Sequence, residues 1–142
     1  MPAHFALYAF FIERKRACPR LPDLNGLKNL TVGGMENMAH RPTCRGCTDC
    51  YLDFQGISNR QSHINAIYRR IVGLRPIAEM SDTGIVNLNA ENFNSYKGKI
   101  RKDFERVFGL SGASRFTIEA WGRRPDTRYG IPLDRDRIRV VT

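Results

Sequence analysis

The sequence predicts an α+β fold, on three observations. A basic amphipathic stretch, Asn92 to Gly109, carries apolar residues at helical spacing. It is followed by three short strand-like runs, Phe116–Trp121, Arg128–Leu133 and Ile138–Val141. Two further helical patterns, Pro2 to Ala17 and Ser58 to Val72, precede it.

Pro2 suits a first helical turn, and Phe5, Tyr8, Phe11 and Ile12 can then share one face. Residues 18–57 read as irregular, punctuated by Pro19, Pro22, Asn25-Gly26, Gly33-Gly34, Pro42, Gly46 and Gly56. Within them only Leu24–Leu30 suggests a short helix. A loop of that length needs its own source of order.

Ser58 and Gln61 have the spacing of a capping box for the next helix. Ile64, Ile67, Tyr68, Ile71 and Val72 form a continuous apolar stripe along it, with Arg69 and Arg70 turned to solvent. Gly73 is placed to end it, Pro76 lies beyond, and Ile85-Val86 suggests a short strand.

Asn89 is placed to cap the basic helix, with Glu91 in its first turn. Phe93, Tyr96 or Lys97, Ile100, Phe104, Val107 and Phe108 make its expected buried stripe. Gly98 inside the pattern costs about 1 kcal/mol relative to alanine, which suggests a break or a close approach. Gly109 is expected to close the helix. In the run after it, Phe116, Ile118 and Ala120 alternate with Thr117, Glu119 and Trp121. The polar turn 122–127 then leads into Arg128-Tyr129-Gly130-Ile131.

The 142 residues are enough for one domain, and a hydrophobic fraction of 42% supports a packed core. The expected division is an N-terminal helix with an irregular cysteine-bearing region over 1–57 and a compact unit over 58–142. A net charge of +9 points to an anionic partner, most often nucleic acid. Two-thirds of that excess lies beyond Asn92, where twelve Lys and Arg face six Asp and Glu. The longest apolar run, Phe5–Ile12, is far short of the ~20 residues of a membrane span. Its positive charges, Arg14-Lys15-Arg16, follow it, the reverse of a secretory signal, so a cytoplasmic location is expected.

Cys44-Arg45-Gly46-Cys47-Thr48-Asp49-Cys50 is a C-x₂-C-x₂-C run whose three thiolates can face one metal centre. A closed site needs a fourth ligand, for which Cys18 and His40 are the candidates. Cys₃His suits structural zinc; Cys₄ suits zinc or an iron–sulfur cluster. Free thiols without a metal are the third reading. His4 and His63 have no nucleophile partner in a recognisable motif. Asp134 and Asp136 alternate with arginines as surface pairs do. No P-loop, dinucleotide fingerprint or zinc-protease motif is present, and no enzyme is expected.

The run Asn94 to Lys102, then Phe116-Thr117-Ile118, then Arg128-Tyr129-Gly130-Ile131-Pro132-Leu133, resembles a winged helix-turn-helix. The Arg-Tyr-Gly return strand is similar to that of response-regulator effector domains. The longer pattern resembles the helix-turn-helix domains appended to CRISPR-associated CARF proteins, with Ala6–Arg14 and Ile67–Gly73 as the preceding elements. The 142 residues are expected to leave no room for a receiver or CARF ligand domain, and the cysteine insertion departs from both patterns. The resemblance implies DNA binding. Asn94, Ser95, Lys97, Lys99, Arg101 and Lys102 would then meet the groove or phosphates, with Arg123, Arg124 and Arg128 on the wing. The leading expectation is a small winged-helix protein that binds duplex DNA, as a transcriptional regulator does. Two others stand beside it: an accessory or interaction module of a CRISPR-type nucleoprotein complex, and a regulator that senses redox state through its cysteines.

Overall fold

The structure, a computed structural model, describes residues 4–18, 43–72 and 87–139. Its elements are helices α1 (His4–Arg16), α2 (Phe54–Ser58), α3 (Gln61–Val72) and α4 (Ala90–Ala113), strands β1 (Glu119–Trp121) and β2 (Arg128–Gly130), and a 3₁₀ turn, Arg135–Arg137. The α+β expectation holds. The expected features at Leu24–Leu30, Gly73, Pro76 and Ile85-Val86 lie outside the described residues, as does His40.

Helix α1 forms as expected, and of the expected face Phe11 is buried and Tyr8 and Ile12 pack half-buried against the core, but the buried arc is wider. Ala6, Leu7, Phe10 and Phe11 are inside, whereas Phe5 is 42% exposed. The reason is that α1 is packed against both α3 and α4, so its buried arc is set by two neighbours. Tyr8 lies half-buried between them, with its ring 5.1 Å from Phe104 and its hydroxyl donating to the Phe116 carbonyl at 2.7 Å. His4 sits 2.7 Å from an Asp103 oxygen and ties the start of α1 to α4.

That pair gives the fold an acid-sensitive tether. The hydrogen bond from His4, and then the charges of His4 and Arg106, hold the Asp103 carboxyl below its ordinary value of 3.8. The folded state therefore binds this proton less readily than the unfolded chain. The stabilisation is complete above 3.8 and is lost as pH falls through the lower folded value. Asp103→Asn should be less stable than wild type near neutrality, with the gap closing in acid. Urea denaturation from about pH 2 to 7 reads this, and a gap that stays constant in acid would contradict it.

The sequence reading placed 18–57 in irregular structure and began a helix at Ser58. Instead, Phe54–Ser58 is a separate short helix, α2, capped by Asp53, whose side chain accepts from the Gly56 amide at 2.7 Å. Ser58 ends α2 rather than capping α3, and Gln61 uses its side-chain oxygen on the Leu88 amide at 2.9 Å. Gly56, which looked like loop punctuation, is the residue that Asp53 caps. Ile57 fills the core from this short helix. In α3 the stripe is as expected over Ile64, Ile67 and Tyr68, which are buried, and Ile71, which is half-buried, while Arg69 and Arg70 are exposed; the side chain of Val72 lies outside the described residues.

Helix α4 begins with the expected cap, and Asn89 and Asn92 bond each other's amides reciprocally. Phe93, Tyr96 and Ile100 are buried. Gly98 neither breaks the helix nor meets a neighbour; a Cβ built there has nothing within 4 Å. Gly109 does not close the helix but kinks it, at φ 76°, and helical structure runs on to Ala113. Val107 and Phe108, expected inside, are 73% and 50% exposed, because the stripe runs past the end of the core at this kink.

The expected strands are shorter in the structure. β1 covers Glu119–Trp121 and β2 Arg128–Gly130, paired antiparallel with Ala120 opposite Tyr129. The alternation is offset: Thr117 and Ile118 are both buried and Ala120 is exposed, since residues 116–118 are not yet strand. Arg135–Arg137 forms a 3₁₀ turn capped by Asp134, and Ile138 and Arg139 are not in a strand. Leu52 bridges the free edge of β2, exchanging backbone hydrogen bonds with Tyr129 at 3.0 and 2.7 Å. The order across this small sheet is therefore Leu52, β2, β1. One core of α1, α3, α4, Leu52, Ile57, Ile118 and Ile131 joins helices and sheet.

Candidate functional site

Two constellations stand out, and both are built on the hairpin. The first is the cationic surface of α4. Asn94, Lys97 and Arg101 follow one another at helical spacing and line a shallow cleft with Gly98, Ile118, Glu119 and Ala120, about 520 Å³ in volume. Ser95, Lys99 and Lys102 form the adjacent, exposed row. Arg123 and Arg124 are exposed in the turn and Arg128 is half-buried at the start of β2. The structure thus brings Asn94, Lys97 and Arg101 together beside β1, and leaves Arg123 and Arg124 projecting on the hairpin tip.

Lys97 is the most constrained cation of this surface. Its ammonium lies 4.4 Å from the centre of the Tyr129 ring and 5.3 Å from that of Phe93. Burial, and then the Arg101 charge, pushes its pKa down. Two cations facing one cleft favour an anion between them, since it relieves both effects. Glu119 shares that cleft, but its carboxylate is already engaged. It accepts from Arg45 Nε at 2.6 Å, Arg45 Nη2 at 3.0 Å and the Tyr51 hydroxyl at 2.6 Å.

Those bonds lead to the second constellation, the cysteine run. Cys44, Cys47 and Cys50 are each about 5% exposed or less and pack with Tyr51 in a small cluster of their own. The loop is wound by two backbone bonds, Cys47 N to Cys44 O at 3.0 Å and Tyr51 N to Cys47 O at 2.9 Å. Cys44 has a left-handed backbone, φ 53°, a conformation that costs a non-glycine residue about 1–3 kcal/mol. Hydrogen-bonding contacts with Cys44 and Cys47, and then burial, push the Cys50 thiol far above the usual thiol range. Among the described residues, no three His, Cys, Asp or Glu side chains already stand as a metal cage. Cys18, half-buried at the end of α1, shares a crevice with Asp49.

Three elements hold this loop. From α1, Arg14 donates to the Asp49 carbonyl at 3.1 Å and Lys15 to the Thr43 carbonyl at 2.6 Å. Lys15 also donates to the Ile131 carbonyl at 2.7 Å and is only 1% exposed. Its burial pushes the ammonium pKa down, and the neighbouring Cys50 and Cys44 push it back up. From β1, Glu119 grips Arg45 and Tyr51. From β2, Gly130 packs directly on the Cys50 carbonyl and the Tyr51 ring.

Sequence reasoning missed Lys15, Arg45 and Trp121. Arg45 stands over the exposed Trp121 ring at 4.4 Å while it holds Glu119. Its position between two cysteines was the available signal; its partner lies 74 residues away and left none. Of the other histidines, His4 is buried against Asp103 and His63 is exposed near Glu13. Among the described residues, no helix is long and apolar enough to cross a membrane. Compared with protein-family models, curated proteins and solved structures, the chain matches none of them.

Proposed function

We propose that the chain binds nucleic acid, duplex DNA in particular, in the manner of a winged helix. The carrying observation is the cationic face of α4, where Asn94, Lys97 and Arg101 line a cleft with the start of β1, in a fold whose sheet order is Leu52, β2, β1 and whose hairpin turn exposes Arg123 and Arg124. In this reading α4 lies in the major groove, with Asn94 and Arg101 toward base edges and Lys97, Lys99 and Lys102 toward phosphates. Arg123, Arg124 and Arg128 hold the adjacent backbone or minor groove. The seven cations of this surface are spread along a helix and a hairpin, the two shapes that grooves admit.

Fluorescence anisotropy with a labelled mixed-sequence duplex tests this at two salt concentrations. If roughly five of the cations meet phosphates, the logarithmic salt slope is about −4.5, a loss on the order of 500-fold between 50 and 200 mM. Absence of salt-sensitive binding to any duplex would sink the reading.

A second reading has an observation of its own. Val107, Phe108 and Leu110 are all at least half exposed around the Gly109 kink, and Phe108 stacks with Phe116 at 4.9 Å. Exposed apolar side chains grouped in this way mark a protein contact. This face supports the role of an accessory subunit in a larger nucleoprotein complex, of CRISPR type by the resemblance. A stoichiometric partner released by Leu110→Glu, with weak duplex binding by the chain alone, would favour it.

A further inference from the structure

We propose that Cys44, Cys47 and Cys50 bind one thiophilic divalent ion of the zinc class, and that this ion fixes the loop on which the hairpin is seated. The inference stands apart from the nucleic-acid reading and can fail or succeed without it.

Convergence is the first argument. Three cysteines of one seven-residue loop pack in a buried cluster, and Cys50 contacts both of the others. Two sulfurs sharing a tetrahedral zinc, with bonds of about 2.3 Å, stand roughly 3.8 Å apart. That is also about the span of a sulfur hydrogen bond, so the contacts of Cys50 with Cys44 and Cys47 bring two pairs of sulfurs close to the separation a shared ion needs.

Charge is the second argument. The Lys15 ammonium is buried, and its hydrogen-bond acceptors among the described residues are two carbonyl oxygens. A buried cation calls for compensating negative charge, part of which Asp134 and Glu119 supply from nearby. With a neutral fourth ligand, three thiolates around a divalent ion carry a net charge of −1, which adds to that of the carboxylates facing the ammonium. Binding releases the three thiol protons to solvent, and no electron moves.

Backbone is the third argument. Cys44 is held in a left-handed conformation at the start of the run. Arg14, Lys15, Glu119 and Gly130 hold the loop from outside, as a preorganised ligand loop requires. The loop in turn supports the hairpin through Arg45, which bonds Glu119 and covers Trp121, and through Tyr51.

Trp121 is the only tryptophan in the chain, so it reports on this contact directly. The test uses the full chain, purified under reducing conditions, with elemental analysis, cobalt substitution and tryptophan fluorescence. The expected results are about one zinc per chain and a thiolate-to-cobalt charge-transfer band saturating at one equivalent. Chelation should change the Trp121 emission, and Cys47→Ala should abolish the band. Should Cys47→Ala fail to fold, the wild-type cobalt titration decides alone. Three outcomes would overturn the proposal: no saturable cobalt band in wild type, a band that persists in Cys47→Ala, or stoichiometric iron and sulfide in place of zinc.

Discussion

Gly130→Ala is expected to destabilise the fold by about 3 kcal/mol, the upper part of the range for overpacking a filled site. A Cβ at this position would stand 2.7 Å from the Cys50 carbonyl oxygen and 2.7 and 2.8 Å from two atoms of the Tyr51 ring. Neither neighbour can give way cheaply. The carbonyl is backbone, in a loop pinned by Arg14 and Lys15. Tyr51 is fully buried, and its hydroxyl is bound to Glu119. Relief would require β2 to separate from the cysteine loop, which also strains the Leu52–Tyr129 bridge. For a chain of this size the shift corresponds to roughly 10 °C in Tm, readable by calorimetry. Gly98→Ala is the matched control. Its added methyl meets nothing within 4 Å on an exposed helix face, so it should stabilise by about 0.5–1 kcal/mol. Equal melting of the two variants would contradict the tight seating of β2.

The second large effect is on binding. Arg101→Glu with Lys102→Glu is expected to weaken duplex binding on the order of 100-fold near 0.1 M salt and to flatten the salt slope by about 1. Both side chains are exposed on α4. The fold should therefore tolerate the change within about 0.5 kcal/mol, and the loss can be assigned to the surface. Reversal removes the phosphate contact of Lys102 and the base-edge contact of Arg101, and adds repulsion on the helix face where Arg101 lines the cleft with Lys97. Arg69→Glu with Arg70→Glu makes the same charge change on exposed α3, away from this surface, and should leave affinity nearly unaltered. Equal losses from both variants would mean that only net charge matters, and would remove α4 from its proposed role.

What was legible in the sequence follows the range of the interactions. The α3 stripe, the Asn89 cap and the hairpin order depend on neighbours within a few residues, and the structure has all three. Helix α2 was hidden because Gly56 looks like loop while its cap, Asp53, acts only through geometry. Val107 and Phe108 fit the helical period but fall where Gly109 turns the chain away from the core. Long-range partners were not legible at all. Lys15 reads as one of four charges ending a helix, yet it is a buried clamp on Thr43 and Ile131. Arg45 reads as a spacer between cysteines, yet it links that loop to Glu119 and Trp121. The candidate cations of α4 were found by type and spacing, while their grouping beside β1 required the fold.

An amide-resolved NMR titration of the full chain with a mixed-sequence duplex tests the central claim most directly. The account predicts salt-sensitive shifts concentrated at 94–102 and 122–128, with α3 and the face of α1 packed on it unchanged. No shifts at saturating duplex, or shifts centred on α3 or around Gly109 instead, would contradict it.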